Sequence, residues 1–300
     1  MARTIFGDMS FPSKRPLVPS MVISCRKSIA SQAFCPAVIC PSLSSINRGQ
    51  ESLQKYDPKD YWNSKARAFK GDVSRAACTT SPILNVCIER TQRRAIKACF
   101  RDLNRGDDHP KGRVLDFGCG SGRWVETLSG FGEEYVGVDI SDEMVEICRS
   151  RYPGKRFETM DQMSIPCPSD YFDVAFSIAV IHHNSPEDQE SLILELSRVL
   201  KPGGMLFLFE SVGLEAINRE FPRPVDQWIE VVSSCGFECI SRRHYEYWPI
   251  GKIWDEKIGL GSPFRGVILR LDRLISPLLS GRLVSADSGR VALLFQHSGE

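Results

Sequence analysis

Residues 114–124 read Val-Leu-Asp-Phe-Gly-Cys-Gly-Ser-Gly-Arg-Trp. Apolar residues suited to a buried strand run into one carboxylate, Asp116, and then into Gly118, Gly120 and Gly122 at alternate positions. A strand that ends in glycines and passes into a helix brings bare backbone close to a ligand, with the helix's unpaired N–H groups aimed at it. In open α/β sheets, nucleotide-type cofactors bind at such strand ends. The spacing narrows the choice of cofactor. A dinucleotide fingerprint beginning at Gly118 needs its third glycine at position 123. That position is Arg123, and the glycine comes one residue early. This disfavours a nicotinamide-linked oxidoreductase.

An acidic residue two before the first glycine, with glycines at alternate positions, resembles the first motif of the class I S-adenosylmethionine (SAM) dependent methyltransferases, in their small-molecule branch. The resemblance implies that this loop wraps the methionine part of SAM, with Gly118, Cys119, Gly120 and Gly122 against it. It also implies that Asp116 orients the loop and the cofactor's ammonium group, directly or through water. Asp139 ends the next strand about twenty residues on, where a carboxylate can accept both ribose hydroxyls. Ile140 follows it, and Met144, one turn into the next helix, is a candidate adenine neighbour. Asp161 and Gln162 follow the third strand, where family members meet the adenine amino group. Ser177 leaves the fourth strand at the switch point, beside the expected position of the reactive methyl.

Strand and helix alternate from Arg113 onward, the pattern of a mostly parallel sheet covered on both faces. Strands are expected at Arg113–Phe117, Glu134–Ile140, Lys155–Met160, Phe172–Ile178, Met205–Glu210, Phe237–Tyr245 and Val291–His297. Ser141 caps a helix running to about Arg151. Leu192, Ile193, Leu196, Val199 and Leu200 mark one face of another helix, and Lys201-Pro202-Gly203-Gly204 is expected to stop it. A helix is also expected from about Arg123 to Ser129. The fold class is therefore a doubly wound, mostly parallel seven-stranded α/β sheet of the Rossmann-like methyltransferase type. The expected domains are a tail over 1–50, a helical cap over 51–110, a core over 111–247, a substrate-side insertion or lid over 248–288, and a final core strand over 289–300.

Three hundred residues that are 42% hydrophobic can bury one substantial core. The formal net charge of +1 lacks the excess that a bulk electrostatic grip on nucleic acid needs. Residues 1–50 hold six Lys/Arg and one acidic residue, leaving 32 basic against 36 acidic groups in the remainder. That Ser-, Pro- and Arg-rich start reads as a disordered tail, an organelle transit peptide or a misassigned start. A cytoplasmic location is expected, or an organelle in the transit-peptide case. The eleven cysteines are scattered, without Cys-x-x-Cys pairs, and are expected to be reduced thiols. No metal site is expected, because the five histidines stand at no ligand spacing with the cysteines.

The chemistry is an in-line displacement on an activated methyl, for which positioning supplies most of the acceleration. Where the acceptor must lose a proton, His183 in Val180-Ile181-His182-His183-Asn184 is a candidate base. Glu210, at the end of the fifth strand, is a second. Tyr61 and Trp62 can fold over the cofactor as a lid. Residues 267–279 place Val267, Ile268, Leu271, Leu274, Ile275 and Leu278 on one face, with Arg270 and Arg273 opposite. Such a helix serves as a cover for the sheet edge, a hydrophobic lid, or a peripheral membrane contact. The resulting expectation is SAM-dependent methyl transfer to O, C or N of a small, largely apolar molecule, with no nucleic-acid partner. A SAM-binding scaffold without catalysis, or a tRNA or protein methyltransferase, stands as the alternative.

Overall fold

The computed structural model describes residues 57–69, 82–103, 112–161, 163–216, 220–245, 266–267, 270–271, 274 and 289–299. Contacts divide the chain into two units, Met1–Gln54 and Lys55–Glu300, and all described residues belong to the second. Within it the elements run α1 (Pro58–Phe69), α2 (Pro82–Leu103), β1 (Arg113–Phe117), α3 (Val125–Leu128), β2 (Glu134–Asp139), α4 (Asp142–Arg151), β3 (Arg156–Thr159), β4 (Phe172–Ile178), α5 (Pro186–Val199), β5 (Leu200–Val212), α6 (Val225–Ser234), β6 (Phe237–His244) and β7 (Gly289–His297).

The seven strands form one sheet in the order β3-β2-β1-β4-β5-β7-β6. β1 pairs in parallel with both β2 and β4, and β4 with β5. β7 is antiparallel to both β5 and β6, so β6 points the same way as β5, as the sequence pattern requires. Chain order reverses between β1 and β4, which opens a crevice at the carboxyl ends of those two strands.

Alternation along the strands sorts the core into two layers. On β5, Leu206 and Leu208 face one way, with Leu192, Ile193, Leu196 and Val199 of α5 and Trp228 of α6. Phe207 and Phe209 face the other, with Ile96, Cys99 and Phe100 of α2 and Val125 and Leu128 of α3. Phe100 stacks on Phe207 with centroids 5.0 Å apart, and Phe207 on Phe176 at 4.6 Å, so α2 is locked to the sheet by aromatic packing. The segment expected as a separate helical cap is thus partly a layer of the core.

Two local expectations are corrected. The helix after the glycine loop spans only Val125–Leu128, followed by a 3-10 turn over Ser129–Phe131. Gly122, at φ +85°, holds the chain out of helical geometry before it. Lys201–Gly204 does not separate α5 from β5, because Leu200 already pairs with Phe172. A register shift between Phe172 and Val174 absorbs the extra residues, and Gly203 sits there at φ +75°. Of the expected insertion, Gly266, Val267, Arg270, Leu271 and Leu274 are helical, with Val267, Leu271 and Leu274 exposed; the rest lies outside the described residues, as does the tail. No described helix is long and apolar enough to cross a membrane.

Candidate active site

A cavity opens at the carboxyl ends of β1, β2 and β4. Its walls come from the glycine loop (Gly118, Cys119, Gly120), the end of β2 (Asp139, Ile140), Met144 of α4, and the turn after β4 (Ala179, Val180, His183). Trp62 of α1 covers part of it.

All three motif glycines adopt left-handed backbone: φ is +72° at Gly118, +53° at Gly120 and +85° at Gly122. L side chains visit this region only at a cost of about 1–2 kcal/mol. At Gly118 a Cβ would also sit 2.4 Å from a Val180 methyl. At Gly120 a Cβ would meet nothing within 4 Å, so that backbone faces open space. The loop is held from below by Gly118 and Cys119, which donate their N–H groups to Val138 O at 2.8 and 3.0 Å. Cys148 of α4 donates its thiol to Gly120 O at 3.1 Å.

Asp139 is the hinge of the arrangement. Its Oδ2 accepts the Gly120 N–H at 2.8 Å and its Oδ1 accepts the Ser141 N–H at 2.9 Å. Burial raises its pKa, opposed by the N–H groups of Ser141, Gly120 and Ile140. A carboxylate offers about four acceptor positions, so the two hydrogen bonds from Gly120 and Ser141 leave capacity for two hydroxyls.

Asp116 lies beneath the loop and is not part of the cavity wall. It shares a sheet face with Tyr135, whose hydroxyl donates to Asp116 Oδ2 at 2.6 Å. Burial pushes the Asp116 carboxyl up to about 7, against the lowering effect of that bond. Backbone bonds to the loop come from Val138 O and Asp139.

α1 is fastened to the start of α4 by Asn63, whose Oδ1 accepts from Ser141 Oγ at 2.7 Å and Glu143 N at 3.3 Å. Ser141 also caps α4 by accepting from Met144 N at 3.1 Å. This docking carries Trp62 to the cavity rim, edge-on to His183 with centroids 5.4 Å apart. Tyr61, expected to share the lid, is not in the wall.

The second expected catalyst occupies a different place. Glu210 is fully buried and outside the cavity wall. Its oxygens accept from Ile181 N at 3.1 Å, His182 N at 3.2 Å and Ser177 Oγ at 3.4 Å, and it contacts His182 Nδ1. Four donors surround this carboxylate, so it braces the turn that carries His182 and His183 instead of facing the cavity. Ser177, on the same sheet face, is likewise behind the wall. Asp161 is exposed, bridged to Ser164, and apart from the cavity. Gly122 shapes the loop without lining the cavity, and Gln162 lies outside the described residues.

Several wall residues carried no sequence signal of their own. Met160, Ile178 and Leu192 add apolar surface, and Ser121, Arg123 and Trp124 form the far side of the loop. Trp124 Nε1 is buried without a hydrogen-bond partner. Ala179 is left-handed at φ +60°, a strained position for a non-glycine residue, at the switch point itself.

The residues present fit SAM on two observations. Open space lies over Gly120 where backbone meets ligand, and an orphaned buried donor, Trp124 Nε1, lies in the same wall as Arg123, suited to a carboxylate. Residues 115–208 match the family model described as a methyltransferase domain. Over those residues this chain carries a methyltransferase domain. It is 37% identical over 164 residues to a tRNA (carboxymethyluridine(34)-5-O)-methyltransferase of Arabidopsis thaliana, covering 54% of this chain and 34% of that protein. It is 28% identical over 202 residues to an O-methyltransferase of Pyrenophora dematioidea, covering 57% of this chain and 74% of that protein. This chain spans about a third or less of the length of the tRNA methyltransferase relatives it matches. Its fold is shared with a chain from the complex between the Haloferax volcanii Trm112 methyltransferase activator and a methyltransferase, at 16% identity and a TM-score of 0.51, covering 82% of this chain and 99% of that one.

Proposed function

We propose that this methyltransferase acts on an oxygen of a small, largely apolar molecule that enters past Trp62 and His183. The observation that carries the reading is the wall itself. Trp62, Ile178, Val180 and Leu192 give it apolar surface, while His183 and Asn184 bring polar groups to the turn after β4. SAM supplies a sulfonium methyl activated for displacement. The residues of the chain hold and align. Asp139 accepts the ribose hydroxyls, Ile140, Met144 and Met160 pack on the adenine, and Gly118 to Gly120 cradle the methionine part. Arg123 and Trp124 Nε1 meet its carboxylate. Ala179 and Val180, in the wall at the switch point, flank the place where donor and acceptor meet, which favours a single in-line approach. His183 handles the acceptor's hydroxyl. Glu210, through His182, holds the turn that presents it.

The test is transfer of radiolabelled methyl from SAM into organic-extractable product across a panel of hydroxylated aromatic and aliphatic molecules. Labelled product with apolar hydroxyl acceptors supports the reading. Label confined to RNA in a parallel incubation with total tRNA overturns it.

A second reading has one observation in its favour. Arg90, Arg93, Arg94 and Lys97 of α2 line one surface groove, with Arg94 and Lys97 exposed. Sequence charge balance hides this cluster, because acidic residues elsewhere in the chain cancel it in the sum, while Arg93 is itself paired with Glu89 at 2.7 Å. Such a stripe suits phosphate backbone, and the tRNA incubation reads it directly.

A further inference from the structure

His182, His183 and Glu220 come together beside the cavity, and the donor reading above gives them no joint role. Their ligand-type atoms, one from each residue, all lie within 4.8 Å of one another. His182 Nε2 stands 4.0 Å from Glu220 Oε2, while its Nδ1 contacts Glu210. We propose that these three side chains form a site for a divalent transition-metal ion of the zinc or cobalt type, and that the metal's open position faces the acceptor pocket. The proposal rests on the methyl-transfer reading for the purpose of the metal, not for its existence.

The arrangement around His182 is what a metal-binding histidine requires. Three other donors converge on Glu210, so Nδ1 is placed to donate to it as well, and the Nε2 lone pair then points away, toward Glu220. A histidine with one nitrogen on a buried carboxylate and the other free to ligate is the usual outer-shell pattern of metal sites. Here Glu210 is 0% exposed and His182 1%, so the ring orientation is held before any ion arrives. The 4.0 Å separation is too long for a hydrogen bond. Two ligands on tetrahedral metal bonds of about 2.0–2.2 Å stand about 3.3–3.6 Å apart, so Glu220 need close by only about half an ångström to share an ion with His182.

Glu220 is also held in place. Phe221 donates its N–H to His182 O at 2.6 Å, and Gln189 Nε2 donates to Phe221 O at 2.8 Å, which pins this segment against the histidine turn. Ser211 Oγ donates to Glu220 Oε2 at 3.4 Å. The rings of His182 and His183 lie 4.2 Å apart, tilted by 40°. Two imidazoles and one carboxylate leave a coordination position open for water or substrate, as in catalytic zinc sites. His183 lines the cavity, so that position opens onto it. An acceptor hydroxyl bound there gives its proton to solvent. Its oxygen then forms the new O–CH3 bond, while the S–CH3 pair stays on sulfur.

The test is a titration of untagged, chelator-treated protein with Co2+, followed by visible absorption and metal analysis. The expected result is one equivalent bound, with ligand-field bands of a four- or five-coordinate N/O site. His183→Gln and Glu220→Gln should each weaken it by roughly 100-fold or more, and Glu210→Gln by about 10- to 100-fold. His182 is left unchanged because its loss would strip a partner from a buried carboxylate. All variants are checked for fold by circular dichroism and for S-adenosylhomocysteine binding. Absence of binding in wild type, equal binding in the Glu220→Gln and His183→Gln proteins, or a cobalt–thiolate charge-transfer band in place of the N/O bands would overturn the proposal. Since the donor cavity does not include Glu220, retained S-adenosylhomocysteine binding with no metal sinks this inference alone.

Discussion

Asp139→Ala should separate the two tasks this carboxylate performs. In the free protein it holds Gly120 and Ser141 through two backbone N–H bonds of 2.8 and 2.9 Å. Hydrogen bonds to a charged group contribute about 1.5–3 kcal/mol each. The two expected ribose hydroxyls therefore amount to about 3–6 kcal/mol of ligand binding, which is a factor on the order of 100 or more in Kd. The Ser141 anchor is buried and the Gly120 anchor partly buried, so a backbone donor left without its partner costs about 1–3 kcal/mol of stability. That corresponds to roughly 2–10 °C in Tm for a unit of this size. Trp62 and Trp124 stand in the cavity wall, so tryptophan quenching by S-adenosylhomocysteine reads the affinity and a thermal melt reads the fold. Asp139→Asn keeps one acceptor oxygen and should fall between wild type and Ala. An Asp139→Ala protein that melts as a folded domain and still binds within about threefold of wild type would refute the assigned role.

Gly118→Ala and Gly120→Ala both place a side chain at left-handed backbone, at about 1–2 kcal/mol each, but only Gly118→Ala also drives a Cβ into Val180. Denaturant unfolding should show Gly118→Ala as the less stable of the two, and ligand titration should show Gly120→Ala folded but weakened in binding; the reverse order would contradict the loop geometry. Asp116 titrates at about 7 in the folded protein and near 4 unfolded, so the folded state holds the extra proton between those values. Stability from this group is present at low pH and is lost as pH rises to about 7. Asp116→Asn, which keeps an acceptor for Tyr135, should therefore gain about 3 kcal/mol relative to wild type between pH 5 and pH 8; an unchanged difference across that range would argue against the raised pKa. Trp62→Ala removes an edge contact with His183 worth about 0.5–1.5 kcal/mol and should raise the acceptor KM several-fold with little change in Tm, as read by steady-state kinetics.

The fold was legible where local chemistry and global need agree. Alternating glycines after an apolar strand, the Ser141 cap and the apolar stripe at Leu192, Ile193, Leu196 and Val199 each specify an element without help from the rest of the chain. Boundaries failed where tertiary pairing overrode local signals. Gly203 looked like a helix stop, yet the pairing of Leu200 with Phe172 drew that segment into the sheet. The meeting of the glycine loop and Asp139 in one cavity wall was legible, because their spacing along the chain is fixed by a single strand-helix-strand unit. Glu210 was misassigned for the opposite reason. Its partners come from the turn after β4, some 28 residues away in sequence, and only the sheet register decides which face it takes. The metal-type cluster escaped notice because spacing between histidines and cysteines is blind to a glutamate brought in by a hydrogen bond from Phe221. Trp124 Nε1 gave no warning either, since an unpaired donor is a property of surroundings and not of residue type.

Calorimetric titration of the wild-type protein with S-adenosylhomocysteine tests the central claim most directly. One molecule should bind per chain, competed away by SAM and weakened by Asp139→Ala. A folded protein that binds neither molecule would contradict the account at its base.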